Sequence, residues 1–109
     1  MEDIQPDTTR VERLAFLAIH RLPEIDYSDL HLYLQNGEVP ATEKLMNEIL
    51  DDGAQLSRFV LGKPLVIGEF GFRTDGDRVY QKKPRAAWFS MLLAHHFQNG
   101  GAGALVWLY

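Results

Sequence analysis

Hydrophobic and polar positions follow two different periods along the chain, and these periods predict helices that alternate with strands. Apolar side chains recur about every 3.6 residues over positions 9–22, as in a helix, and alternate with polar ones over 28–34, as in a strand. The same patterns predict a helix over 42–61, a strand over 65–70, a helix from Pro84 to Gly100 and a strand over 103–109. The order αβαβαβ predicts an α/β fold whose strands pair in parallel through right-handed crossovers.

Each predicted helix has an apolar stripe that indicates its buried face. The stripes comprise Val11, Leu14, Ala15, Ala18 and Leu22 in the first helix, Leu45, Met46, Ile49, Leu50, Leu56, Phe59 and Val60 in the second, and Trp88, Met91, Leu92, His95 and Phe97 in the third. Residues 65–70 form a nearly continuous apolar run, which is typical of a strand buried on both faces. Three such strands leave sheet edges open, so we expect part of a larger domain that self-associates when isolated.

Composition and charge narrow the class of partner. The chain has 109 residues, the length of one domain, and its 15 acidic and 11 basic residues argue against a nucleic-acid partner. It contains no apolar run as long as the roughly 18–20 residues of a membrane span. There is no cysteine and no phosphate-binding glycine motif, so neither a thiolate metal site nor a cofactor is expected. The acidic start, residues 1–3, is not that of a signal peptide, and no compartment is assigned.

Chemically capable side chains lie near the ends of the predicted strands, where parallel α/β folds gather their sites. By the two-residue period of a strand, Asp29, His31 and Tyr33 share one face of the first strand. The same rule puts Leu65, Ile67 and Glu69 on one face of the second strand, and Leu105, Trp107 and Tyr109 on one face of the third. Three strand ends with such side chains favour a single site.

Glu69 is the strongest candidate in this set. Its carboxylate ends an apolar run and is therefore expected to be partly desolvated, while Gly68 and Gly71 allow a ligand to come close. Structural readings stay open at this point: Glu69 in a salt bridge, His31 and Tyr33 as a hydrogen-bonded pair, and Trp107 in the core.

Three segments, taken in order, resemble the last three strands of glycoside hydrolase family 5, and above all its β-mannanase and cellulase-type members. The segments are Ile25-Asp26-Tyr27 leading into His31-Leu32-Tyr33, then residues 62–71 with Gly68-Glu69-Phe70-Gly71, then Gly103-Ala104-Leu105-Val106-Trp107. Members of this family are retaining (β/α)8 barrels. The resemblance therefore implies a partial TIM barrel of about three βα units, similar to strands 6–8, with residues 1–109 as a fragment of a single catalytic domain.

The resemblance also implies roles for individual residues. Glu69 matches the catalytic nucleophile, His31 and Tyr33 match the pair that lines the subsite at the scissile bond, and Trp107 matches the aromatic residue beneath the −1 sugar. Tyr33 is expected to donate a hydrogen bond to the nucleophile. The family's acid/base glutamate lies in an Asn-Glu-Pro-like segment that this sequence lacks, and neither Glu38 nor Asp75 has a context that fits that role.

The implied function is that of a retaining β-glycanase, mannan endo-1,4-β-mannosidase or cellulase-like, acting on a β-linked polysaccharide or oligosaccharide without metal or cofactor. The chain by itself is expected to be inactive, because the acid/base is missing. Two alternatives stay open: a carbohydrate-binding or truncated fragment without turnover, and a small α/β interaction domain in which Glu69 is structural. An in-frame Asn-Glu pair upstream of residue 1 would favour the glycanase.

Overall fold

The computed structural model describes residues 9–33, 42–72 and 84–107. The elements, in chain order, are helix α1 (Thr9–His20), strand β1 (Ser28–Leu32), helix α2 (Glu43–Ala54), a π-helical segment (Gln55–Val60), strand β2 (Leu65–Phe70), helix α3 (Arg85–Gln98) and strand β3 (Gly103–Val106). The predicted alternation is therefore confirmed. The loop carboxylates Glu38 and Asp75, and Tyr109 of the third strand, lie outside the described residues.

The three strands form one sheet in the order β1-β2-β3, and both neighbouring pairs are parallel. Leu30 lies opposite Ile67 in the first pair, and Val66 lies opposite Gly103 in the second. The predicted parallel pairing in chain order is confirmed. Because parallel strands all end at the same edge, Glu69 near the end of β2 lies next to the residues that close β1 and β3.

A β-bulge at Gly68 changes which side chains share a face of β2. Leu30 pairs with Ile67, but the next residue of β1, His31, pairs with Glu69, so Gly68 is an extra residue. The pairing with β3 shifts over the same stretch, between Ile67 and Phe70. The prediction that Glu69 shares a face with Leu65 and Ile67 is therefore wrong, because one inserted residue reverses the alternation.

The buried face of the sheet packs against the helices. Its core consists of Leu30 and Leu32 from β1, Leu65, Ile67 and Phe70 from β2, Met46, Ile49 and Leu50 from α2, and Phe16, Leu56, Phe72, Trp88 and Leu92 from the remaining segments. The opposite face is covered much less, since His31, Val66 and Glu69 are only half-buried. Within this chain, β2 is thus fully buried on one face and not on both as its composition suggests.

The stripe predicted for the second helix holds as far as Leu56 and then fails. Phe59 and Val60 are 71% and 57% exposed. The amide of Leu61 donates to the carbonyl of Leu56, the i to i+5 bond of a π-helix. The wider π turns rotate the last residues away from the face that an uninterrupted α-helix would bury.

The predicted faces of the other helices need one correction each. In α3, Trp88 and Leu92 are buried as expected, but Phe97 is exposed and His96 takes the buried position. In α1, the side chains described from the predicted stripe are exposed, namely Leu14, Ala15, Ala18 and, just beyond the helix, Leu22. Among residues 12–20 of α1, Phe16 is buried, because this helix lies beside the open edge of β1 and turns Phe16 and His20 toward it.

Candidate active site

Tyr33 and Glu69 are joined by a hydrogen bond at the carboxyl end of the sheet. Tyr33 directly follows β1 and is 6% exposed, and its hydroxyl donates to Oε1 of Glu69 over 2.9 Å. The expected bond between these side chains is therefore present. It depends on the bulge at Gly68, which turns Glu69 to the face that already carries His31 and Tyr33.

The second oxygen of Glu69 faces His31. The distance from Nδ1 of His31 to Oε2 of Glu69 is 3.7 Å, and both side chains are about one-third exposed. The other ring nitrogen, Nε2, lies 3.1 Å from Oδ2 of Asp29. The imidazole thus stands between two carboxylates, and each oxygen of Glu69 faces a different partner.

Asp29 is the member of this cluster to which the sequence pattern assigned no role. Its carboxylate extends over the bulge, where a Cβ added to Gly68 would lie 2.0 Å from Oδ1 of Asp29. A residue with any side chain at position 68 would displace that carboxylate. The available sequence signal was the Asp-x-His-x-Tyr spacing of β1, which places Asp29 on the face of His31 and Tyr33.

Trp107 lies at the same end of the sheet, directly after β3. Its amide donates to the carbonyl of Phe70 over 2.8 Å, which extends the pairing of β3 beside β2 past Glu69. The residue is 56% exposed, so it is not the core residue that one reading of the sequence allowed. An exposed indole offers a broad apolar surface against which a ring can pack.

An open cleft of about 490 Å³ reaches this cluster from the side. It lies between α1 and β1, and it is lined by Glu12, Ala15, Phe16, Ile19, His20, Asp29 and His31.

Within residues 9–33, 42–72 and 84–107, no group of three or more histidine, aspartate or glutamate side chains is arranged to hold a metal ion. None of the helices in these ranges has the length and hydropathy needed to cross a bilayer.

A second polar cluster lies toward the opposite end of the sheet. His95 Nε2 lies 2.6 Å from Oδ1 of Asp51, which also accepts from the amide of Asn99. Burial raises the pKa of Asp51, but its bonds with His95 and Asn99 outweigh this and leave that pKa below the usual value. The neighbouring His96 points the other way, toward β3.

His96 is buried and satisfies a backbone group. Its Nε2 donates to the carbonyl of Gly103, the first residue of β3, over 2.9 Å. Burial lowers the pKa of His96 below its usual value, and the bond to Gly103 offsets this only in part. The contacts of this end tie α3 to α2 and to β3.

The open parallel sheet and its helices match part of a (β/α)8 barrel. Two solved barrel enzymes have the same fold over part of their length. The hyperthermostable endo-1,4-β-D-mannanase from Thermotoga petrophila RKU-1, solved with maltose and glycerol, is 20% identical with a TM-score of 0.73, over 85% of this chain and 25% of that one. Another structure of endo-β-1,4-mannanase from Thermotoga petrophila gives 20% identity and a TM-score of 0.74, over 85% of this chain and 19% of that one.

The sequence is also similar to that of a plant mannan endo-β-mannosidase. Mannan endo-1,4-β-mannosidase 3 from Arabidopsis thaliana is 29% identical over 113 residues, which is 95% of this chain and 27% of the plant protein. No protein-family model matches the chain. The chain therefore spans about a quarter of the length of this relative, and its predicted resemblance to β-mannanase-type barrel enzymes is confirmed.

Proposed function

We propose that this chain carries the nucleophile half of a retaining β-glycanase site, with Glu69 as the nucleophile. The observation that carries the proposal is the bond between Tyr33 and Glu69 on the open face of the sheet, in a chain similar to β-mannanases. The structural reading of Glu69 requires a partner that neutralises it within the fold. Its described contacts are with the buried Tyr33 hydroxyl and with His31 at 3.7 Å, and its side chain is 32% exposed, so a ligand can reach the carboxylate.

The two oxygens of Glu69 suit different tasks. Oε1 accepts the hydroxyl of Tyr33, and such a bond to a carboxylate stabilises its negative charge. Oε2 lies 3.7 Å from His31, beyond hydrogen-bond distance, so its lone pairs stay available for attack on an anomeric carbon. In a retaining mechanism that attack forms a covalent glycosyl-enzyme, and a second carboxyl about 5–5.5 Å away protonates the leaving oxygen.

The proposed substrate is a β-linked mannan or a related glycan. The named relatives are β-mannanases, and Trp107 presents an exposed indole at the end of β3, where the apolar face of a sugar ring can pack. His31 and Tyr33 would line the subsite that holds the sugar undergoing attack. The complete site would draw its acid/base from a part of the barrel that this sequence does not supply.

The test of the nucleophile uses a sugar whose leaving group needs no protonation. The 109-residue chain is incubated with 2,4-dinitrophenyl 2-deoxy-2-fluoro-β-mannoside and weighed. A Glu69 oxygen forms a bond to the anomeric carbon while the bond to dinitrophenolate breaks, so the mass rises by one fluoromannosyl group. We expect the label on the peptide that contains residues 65–72.

Two variants make this test decisive. Glu69→Gln keeps the shape of the side chain and should abolish labelling, while Glu48→Gln, on the exposed side of α2, should leave the labelling rate unchanged. A wild-type chain that folds but takes no label, or takes it on another residue, would contradict the assignment of Glu69.

The chain by itself should not turn over natural polysaccharide. General acid catalysis is worth roughly 10²–10⁴-fold in rate, and no residue has been assigned to supply it here. We expect β-mannan hydrolysis slower than that of a complete mannanase by at least this factor, measured as reducing ends released by the purified chain. Hydrolysis at an ordinary rate that survives Glu69→Gln would refute both the residue and the mechanism.

A further inference from the structure

Asp29 lies in contact with the proposed site, yet the chemistry of the nucleophile gives it no role. It stands two residues before His31 on the same face of β1, and its Oδ2 lies 3.1 Å from Nε2 of the imidazole. The opposite side of that ring faces Glu69. A carboxylate in this position can influence the nucleophile through His31.

The Asp29–His31 contact favours a hydrogen on the ring nitrogen that faces Asp29. An ionised carboxylate offers only acceptor oxygens, and Oδ2 of Asp29 lies 3.1 Å from Nε2 of His31. The ring plane is then set by the direction from Asp29, and Nδ1 becomes the atom that faces Oε2 of Glu69. Which nitrogen of a histidine is protonated is commonly decided in this way by the partner of the other nitrogen.

Two further contacts hold Asp29 in place. Its backbone amide donates to Nε2 of His20 over 3.2 Å, while Nδ1 of His20 lies 2.9 Å from the carbonyl of Phe16. Its side chain occupies the space that the missing Cβ of Gly68 leaves open. The backbone is thus held from the open edge of the sheet, and the carboxylate is held over the bulge.

We infer that Asp29 is a positioning residue, which sets the tautomer and the ring plane of His31 and so determines the atom that Glu69 Oε2 meets. This inference rests on the proposed function of Glu69. The bulge at Gly68 contributes in two ways, because it turns Glu69 to the open face and makes room for the Asp29 carboxylate. Without that carboxylate the imidazole loses the contact on its Nε2 side, which favours one tautomer and one ring plane.

Two separate measurements report on the imidazole ring of His31 and on the reactivity of Glu69. Histidine ring nitrogens are labelled with ¹⁵N, and the signals of His31 are assigned by their loss in His31→Gln. At mildly alkaline pH we expect a protonated-type Nε2 in the wild-type chain and a mixture of tautomers in Asp29→Ala. In parallel, the rate of fluoromannosyl labelling should fall about 10-fold or more in Asp29→Ala, because a misplaced group beside the reacting atoms is costly.

Matched variants separate positioning from folding. Asp29→Asn keeps the volume of the side chain but can present an N–H to Nε2, so it should alter the His31 signals while the fold is retained. Asp26→Asn removes the charge of an exposed aspartate three residues earlier and should change neither readout. Unchanged His31 signals in folded Asp29→Asn and Asp29→Ala would overturn the inference.

The two proposals fail in different ways. A wild-type chain without label on Glu69 contradicts the nucleophile but leaves the His31 spectrum as a test of Asp29. A wild-type chain labelled on Glu69, with an equal rate in Asp29→Ala, contradicts Asp29 as a positioning residue and leaves the nucleophile standing.

Discussion

The two ends of the sheet both carry polar clusters with histidine and aspartate, but the clusters make different kinds of contact. At the carboxyl end, Asp29, His31, Tyr33 and Glu69 contact one another through their side chains, on the half-exposed face. Toward the amino end, Asp51, His95 and Asn99 also contact one another, but three other polar side chains satisfy backbone carbonyls. Ser57 donates to the carbonyl of Lys63, His96 to Gly103 and Arg58 to Asn99.

This difference separates a structural cluster from a candidate active site better than residue type does. A side chain that satisfies a backbone carbonyl fixes a turn or a helix end, and its loss leaves a polar group without a partner. Lys63 is an example, since its ammonium donates to the carbonyls of His20 and Leu22 and so ties the end of α1 to the start of β2. Carboxylates that contact only side chains on an open face stabilise little, but they are available to a ligand.

The largest effect is expected when the hydroxyl of Tyr33 is removed from the carboxyl end of the sheet. Tyr33→Phe deletes the donor to Glu69 and should slow fluoromannosyl labelling by about 10–100-fold, because the hydroxyl fixes the orientation of the attacking carboxylate. The midpoint of urea unfolding should change little. Tyr27→Phe, at a residue 53% exposed, is the matched control. A Tyr33→Phe chain that labels at the wild-type rate would break the contrast between the two ends.

The corresponding change at the amino end should affect stability and not chemistry. A Cβ added to Gly101 would lie 2.2–2.4 Å from ring atoms of the buried His96, so Gly101→Ala should destabilise the fold by about 1–3 kcal/mol. Gly103→Ala is the control, because its Cβ would meet only Val66, at 4.0 Å. Urea unfolding measures both variants. Equal stability of the two, or slower labelling of Glu69 in the folded Gly101→Ala chain, would argue against this division of roles.

The smallest expected effect is a dependence of stability on pH that arises from His96. Burial lowers its pKa in the folded chain below the usual 6.5, so the unfolded chain takes up the proton first as the pH falls. The stability that neutral His96 contributes is therefore complete above about pH 6.5 and is lost as the pH falls through the lower folded value. Unfolding in urea at several pH values should show this loss, and His96→Gln should reduce it. A slope of the opposite sign in this window would refute the burial argument.

Much of the fold could be predicted from the sequence because the relevant signals are local. The apolar run 65–70 coincides with β2 as Leu65–Phe70, and Pro84 directly precedes α3. Parallel pairing followed from helices that separate short apolar strands. The position of Glu69, Tyr33 and Trp107 at one edge followed in turn, since parallel strands end together.

The sequence-based predictions failed where the buried face of a helix depends on the segment that packs against it. The sequence of α1 offers more than one apolar face, and the open edge of β1 selects the face of Phe16. The stripe of α2 continues to Val60 in the sequence, but the π turns expose that residue. The periodicity of one segment does not determine which helix face is buried, because that depends on packing between segments.

By itself, the sequence determined the order of helices and strands and the chemical groups at the strand ends, because both depend on residue type and on periods within one segment. Only the tertiary structure decided how those groups meet. The bulge at Gly68 arises from the pairing of β2 with two neighbours, and it turns Glu69 from the helix-covered face to that of His31 and Tyr33. It also admits the Asp29 carboxylate. A rule of strict alternation cannot foresee an inserted residue, because register is a property of paired strands and not of one.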